Sequence, residues 1–437
     1  MNARFSSFAW TFVLMIVFRL VLDVAYVTSV SKIYEYEGFY LNLIPANYVF
    51  SFAALIGIYF LFEFFCKSRF GSAKLSLIGI MLIFYVVPTT SLWALKGGTM
   101  HTALALGGFV VIIAGAWLAE GFIPQSLPAP RIGPGPLALG LLFYSMVSVA
   151  ALYMTGVRFG FNFDFSLAYE TRAGWNDAIG GSRLIGYLVM WQAKVINIAL
   201  VVVGLRLKGP WFGLAVLGVA YQLLLFGTSG HKTYFFSMIL AGALYYGSRV
   251  KVDSWRLFAL LGAGAATLGL ILSLNPDTQL SGSILTRRLF FVPPAVGEMH
   301  VEFFSRPWNE FVKLSHSILF FLFDYPYYEN FFHAISREMY DKEANVNTGI
   351  FGDGFDNFGT AGTLVWSFAF GWYAVLCDRL TRETPLAIKN CLIIVPAMSF
   401  VNSGLLTSVL THGALLSVLL CWILPWQYFG NKGREHI

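Results

Sequence analysis

The sequence predicts an all-α, polytopic transmembrane protein with about twelve spanning helices and two long loops on one side of the membrane. Hydrophobic residues make up 57% of the 437-residue chain and charged residues only 12%, against roughly 25% charged in a soluble domain. So little charge cannot cover a solvated surface, which excludes a soluble enzyme, a nucleic-acid-binding domain and a secreted disulfide scaffold. Apolar stretches of about 20 residues, the length that crosses a bilayer, recur along the whole chain. Counting about twelve crossings then places the Lys and Arg of the connecting segments mostly on one side. The formal net charge of +6 follows from that positive-inside bias and needs no nucleic-acid partner.

In order, spans are expected near 5–30, 44–66, 75–95, 101–120, 136–156, 184–206, 211–227, 232–248, 255–274, 361–378, 386–403 and 406–428. The first is too long for the apolar region of a signal peptide and lacks a small-residue cleavage site, so it is expected to stay as an anchor. The chain divides into N-terminal helices (1–156), a first long loop (157–183), central helices (184–274), a second long loop (275–360), and C-terminal helices with a tail (361–437). No internal repeat is evident, which disfavours repeat-built transporter folds.

Lys67, Arg69 and Lys74, Arg206 and Lys208, Arg249, Lys251 and Arg256, Arg379, Arg382 and Lys389, and Lys432 and Arg434 all fall on the side of both termini. That side is expected to be cytoplasmic. The four cysteines, Cys66, Cys377, Cys391 and Cys421, lack metal-ligand spacing and read as small buried hydrophobes. Inside the spans, Arg19 and Asp23 are four apart and share a helix face. Glu63 lies near a span end, and Lys194 sits at membrane depth, where a charge usually faces a cavity or a partner.

The opposite side carries the chemistry. The first long loop contains Tyr169, Glu170, Thr171 and Arg172 after a run of alternating aromatic and polar residues. Such a run suits a sugar-gripping surface and equally an interfacial aromatic belt. Arg172 is a clamp for phosphate oxygens; Glu170 is a proton acceptor or the partner of an Arg. Between two spans, "SGHKT" at 229–233 lacks the glycine spacing of a nucleotide-binding loop. It remains a small basic connector opening a helix, with His231 and Lys232 placed for an anion or merely forming a polar turn.

The second loop, rich in Phe, Tyr and Trp, is expected to fold as amphipathic or re-entrant helices, with 314–323 as an interfacial helix. It opens on Arg287 and Arg288, of which a helix presents only one to a given face. Arg306 adds a further cation, and His300 is either a general base or a structural histidine. The run from Asn345 to Gly359 fails calcium-loop spacing and reads as a tight turn entering the next helix. No residue cluster suggests a metal, and no cofactor is expected.

Together, about twelve spans, Tyr-Glu-Thr-Arg in the first loop, "SGHKT" at 229–233, "TRRLFFVPP" at 286–294 and "NTGIFGDGFDNFGTAG" at 347–362 resemble the Wzy-type O-antigen polymerases. The resemblance runs from about residue 150 onward and is weaker before it, where only hydropathy matches. None of the loop arginines is followed, after ten intervening residues, by the glycine that some members carry. The resemblance implies a membrane glycosyltransferase with a GT-C-like fold in the bacterial inner membrane, acting on the periplasmic face in lipopolysaccharide or other polysaccharide biosynthesis. Its substrates would be undecaprenyl-diphosphate-linked oligosaccharides, as donor and as acceptor. A chain-length regulator and a flippase would be its partners.

In that role Arg172, Arg287 and Arg288 would stabilise charge on the departing diphosphate, with His231, Lys232 and Arg306 holding it. Glu170 or His300 would take the proton of the attacking hydroxyl. Such chemistry requires neither nucleotide nor metal. An O-antigen ligase, which uses the same donor, is the nearest alternative. A transporter or lipid-linked oligosaccharide flippase is the second, disfavoured because the spans hold few charges.

Overall fold

In lipid a backbone N–H or C=O has no partner outside its own chain, so long apolar runs fold as helices. The fold is seen in a computed structural model, which describes residues 2–66, 71–130, 132–157, 159–160, 168–179, 182–207, 209–248, 253–341 and 343–424. Every regular element among the described residues is helical. Among the described residues ten helices are long and apolar enough to cross a membrane: Ala9–Ile33, Pro45–Phe65, Ala73–Leu95, Met100–Phe122, Pro134–Met154, Leu184–Leu207, Gly209–Ser229, Ser254–Leu274, Ile350–Leu380 and Leu405–Ile423. The two other expected spans are helical but shorter. Lys232–Gly247 has 16 residues. The helix Leu386–Ala397 contains Pro396 and tightens into a 3-10 turn at Met398–Val401, because proline removes a hydrogen bond and clashes with the preceding turn.

The helices form two compact units that interleave along the chain. Unit 1 comprises Met1–Pro124, Val252–Leu376 and Met398–Leu406; unit 2 comprises Gln125–Lys251, Cys377–Ala397 and Thr407–Ile437. All four cysteines are free and buried.

In unit 1 the helix Ala73–Leu95 is a central pillar, 94% buried over its apolar window. Arg19 and Asp23 pair at 3.1 Å, as their spacing predicts. The guanidinium also donates to Thr90 O at 2.7 Å, and Asp23 accepts from Tyr48 and Ser91, so the buried charges are paired, with Arg19 Nε left without a hydrogen-bond partner. Glu63 faces Arg256 at 3.9 Å. Met100–Phe122 crosses the last long helix of the unit at Gly108, Gly115 and Gly371, where a Cβ would run into Phe351, Phe368 and the Ile112–Ala116 backbone. Small residues let membrane helices approach closely.

The Gly- and Asn-rich run was expected to be a turn; it is mostly helix. Ile350–Leu380 breaks at Phe358 (φ −147°, ψ 27°) and Gly359 (φ 62°, ψ −146°). The two legs double back on each other, so that Thr363 Oγ1 donates to Phe351 O at 3.0 Å and Trp366 Nε1 to Asp353 Oδ2 at 2.6 Å. The glycines serve this hairpin: a Cβ on Gly354 would lie 2.7 Å from Gly362 O. The expected interfacial helix at 314–323 is instead a chain of turns. Left-handed Lys313 (φ 47°) and Leu314 (φ 66°) stand at its start, a conformation that no helix continues.

In unit 2 a chain of amides joins four helices. Gln192 Nε2 donates to Ser145 Oγ at 2.9 Å and to Asn197 Oδ1 at 2.7 Å; Asn197 Nδ2 donates to Gln222 Oε1 at 2.7 Å; and Gln222 Nε2 donates to Tyr234 O at 2.7 Å. Buried amides bonded to one another across helices fix helix rotation as well as position, although Gln192 Oε1 is left without a partner. The first long loop is partly helical, Ala168–Ile179.

Candidate functional site

The two sets of candidate residues divide between the units. Glu170, Arg172, His231 and Lys232 belong to unit 2; Arg287, Arg288, His300 and Arg306 belong to unit 1.

The unit 2 group is built on a helix–turn–helix. The helix Phe212–Ser229 ends on Gly230, whose φ of 65° is the left-handed conformation a C-terminal glycine supplies, with its N–H on Phe226 O. His231 follows at the N-cap position, and Lys232–Gly247 begins at once. "SGHKT" therefore encodes a stop, a cap and a start. The orphan N–H groups of the new helix and its dipole add positive potential there. Across from this turn, the Ala168–Ile179 helix is pinned by Trp175. That ring is buried among Leu152, Val189, Tyr221, Leu225 and Tyr234. Three residues before Trp175, and so on the same face, Arg172 reaches the turn, its Nη2 lying 3.5 Å from Gly230 O. The side chain of Glu170 and the run 161–167 lie outside the described residues.

Lys194 belongs to the same group. It sits in a π-helical turn, Gln192–Ile196, of the helix Leu184–Leu207. Such bulges re-aim side chains and recur at functional sites. His231 shows the combined field. Burial first, then the Arg172 guanidinium and the Lys194 ammonium, push its imidazole down to about 4, so it is neutral at neutral pH. Lys194 was legible as a charge at membrane depth; its effect on His231 was not, because 37 positions separate them in sequence.

The unit 1 candidates are more fully committed. Arg287 and Arg288 lie in another π-helical turn, Arg287–Phe291. They point apart as adjacent helical residues must: Arg287 is buried and Arg288 exposed. Arg287 lies 3.8 Å above the Tyr34 ring and pairs with Glu37. Burial pulls its guanidinium downward from the ordinary value, partly offset by Tyr34. Arg306 pairs with Glu338 and, at 3.1 Å, with Glu302. Its charge tethers the Phe331–Tyr340 helix to Val292–Phe304.

His300 is fully buried, and both its ring nitrogens are engaged. Nδ1 lies 2.8 Å from Asp356 Oδ2, and Nε2 lies 2.7 Å from Val346 O. Burial alone would lower its pKa; the Asp356 carboxylate and the Val346 carbonyl outweigh that and raise it. A ring that donates from both nitrogens has no lone pair for a substrate proton, so this geometry is that of a clasp between helix, loop and hairpin. Glu37 and Tyr34, which meet Arg287, carried no signal in the sequence beyond an aromatic-acidic connector.

Among the described residues no group of three His, Cys, Asp or Glu side chains is arranged to hold a metal ion. The chain matches no protein-family model, no curated protein and no solved structure.

Proposed function

We propose that the protein is a polysaccharide polymerase of the Wzy type in the bacterial inner membrane. It moves a growing glycan from undecaprenyl diphosphate to a hydroxyl of an incoming undecaprenyl-diphosphate-linked repeat unit on the periplasmic face. The observation that supports the reading is the Arg172 guanidinium against the helix-opening turn, its Nη2 3.5 Å from Gly230 O, with Lys194 acting on the same buried His231 imidazole. Cations beside a helix N-terminus suit an anion, and a lipid diphosphate supplies one.

In the transfer, the acceptor oxygen bonds to the anomeric carbon as the bond from that carbon to the diphosphate oxygen breaks. The electron pair leaves with the diphosphate, and the hydroxyl proton passes to a base. Arg172 is the proposed fixed cation for charge on the leaving oxygens, with Lys194, which acts on the same His231 ring, as its proposed companion. Glu170, two residues before Arg172, is the proposed proton acceptor, and neutral His231 a hydrogen-bonding partner. In unit 1, Arg288 is exposed on its bulge. Arg287, stacked and ion-paired, fixes the bulge that presents it.

Gene deletion tests this reading against ligase and flippase. Loss of a polymerase leaves single repeat units on the lipid A core, restored to long chains by the wild type and not by Arg172→Ala. Absence of any repeat unit on the core of the deletion strain would assign the protein elsewhere.

A further inference from the structure

A second site lies in unit 1, in the turn-rich stretch that follows Trp308. Two consecutive residues bearing a Cβ, Lys313 and Leu314, are left-handed, a conformation that persists only where its surroundings dictate it. Asn357 Oδ1 accepts the Leu314 N–H at 2.6 Å, and Asn357 Nδ2 donates to Asp353 O at 2.7 Å. Tyr327 OH donates to Glu310 O at 2.6 Å and Tyr325 OH to Glu329 O at 2.9 Å. The loop is therefore shaped by the residues around it. The shape it holds is a ridge: Ile318, Phe320, Phe321, Leu322 and Phe323 are between 42% and 69% exposed.

A contiguous exposed apolar patch marks an interaction surface, and its depth identifies the partner. Phe323 packs against Phe358 with ring centroids 6.5 Å apart. Phe358 is the elbow from which the long leg of Ile350–Leu380 departs. The ridge thus stands at the end of a helix long and apolar enough to cross a membrane, a placement that suits the bilayer interface layer. Trp308 and Tyr328, both strongly exposed, are the residue types that populate that layer.

Beside the ridge opens a pocket of about 640 Å³ lined by Glu310, Lys313, Phe320, Phe323, Asp324 and Pro326 among others. Among the described residues no ion pair engages Glu310, Lys313 or Asp324. Two carboxylates and one ammonium at the foot of an apolar ridge complement a headgroup carrying both signs of charge. We propose that this pocket binds the headgroup of an amine-bearing zwitterionic phospholipid. The lipid ammonium sits between Glu310 and Asp324, its phosphate on Lys313, and its acyl chains run along Phe320 to Phe323. The surplus of carboxylate disfavours a purely anionic lipid, and Ile318 and Leu322 offer nothing to a sugar.

The experiment uses the full-length protein in nanodiscs containing phosphatidylethanolamine and phosphatidylglycerol. A spin label on Phe321→Cys, with the native cysteines buried, should be more accessible to oxygen than to a water-soluble nickel chelate. Carbodiimide should couple the lipid amine to Glu310 or Asp324 several-fold more than to the exposed Glu302. The Phe321→Ser, Leu322→Ser variant should lose that preference while retaining wild-type thermal unfolding. A label with water-like accessibility, or coupling no greater than at Glu302, overturns the proposal.

Discussion

At the scale of single residues, the account turns on cations that share one field. Arg172→Ala is expected to lower glycan transfer by about 100-fold, the usual cost of removing a fixed group that meets developing charge. Arg172→Lys should recover only part, because an ammonium cannot hold two phosphate oxygens in one plane. Both variants should insert and unfold as the wild type does. His231 gives a sharper test. Free, it is held at about 4 by burial, Arg172 and Lys194. A bound anion offsets those cations and raises its pKa, so binding takes up a proton. Pyrophosphate affinity, measured by titration calorimetry, is therefore expected to rise relative to that of His231→Gln as pH falls from neutrality toward 4. Equal slopes in the two proteins would remove His231 from the site.

At the scale of elements, the hairpin of Ile350–Leu380 and its clasp explain most of the Gly- and Asn-rich run. Gly354→Ala places a Cβ 2.7 Å from Gly362 O, and overpacking of this kind costs about 1–3 kcal/mol. His300→Gln leaves Asp356 buried without its cation, a loss of about 3–5 kcal/mol. The pH dependence of that loss has a definite sign. The folded pKa of His300 is raised, so its stabilisation is fully present below the unfolded value of about 6.5 and fades as pH rises through the folded value. The gap in unfolding temperature between wild type and His300→Gln should narrow on that alkaline limb.

The sequence made the Arg19–Asp23 pair, the buried cysteines and the positions of the apolar helices legible, because hydropathy and i,i+4 spacing are local properties. It concealed the hairpin. Its glycines look like turn residues until the second leg, packed against them, shows that they are there to admit a neighbouring backbone. It concealed His300 too, whose partners lie 46 and 56 positions away.

For the whole molecule, the chain's two interleaved units divide the work that the sequence placed in one row of loop cations. In unit 2 Arg172 reaches a helix-opening turn, and in unit 1 Arg287 and Arg306 are held by carboxylates. Glu37→Gln, which frees Arg287, is accordingly expected to change glycan transfer far less than Arg172→Ala, as read from product ladders. The most direct test of the central claim is elongation by the purified protein in proteoliposomes supplied only with an undecaprenyl-diphosphate-linked repeat unit. The account predicts a ladder of longer lipid-linked glycans with chelator present and nucleotide absent, and none from Arg172→Ala. Folded wild-type protein that yields no ladder, or an undiminished ladder from Arg172→Ala, would contradict it.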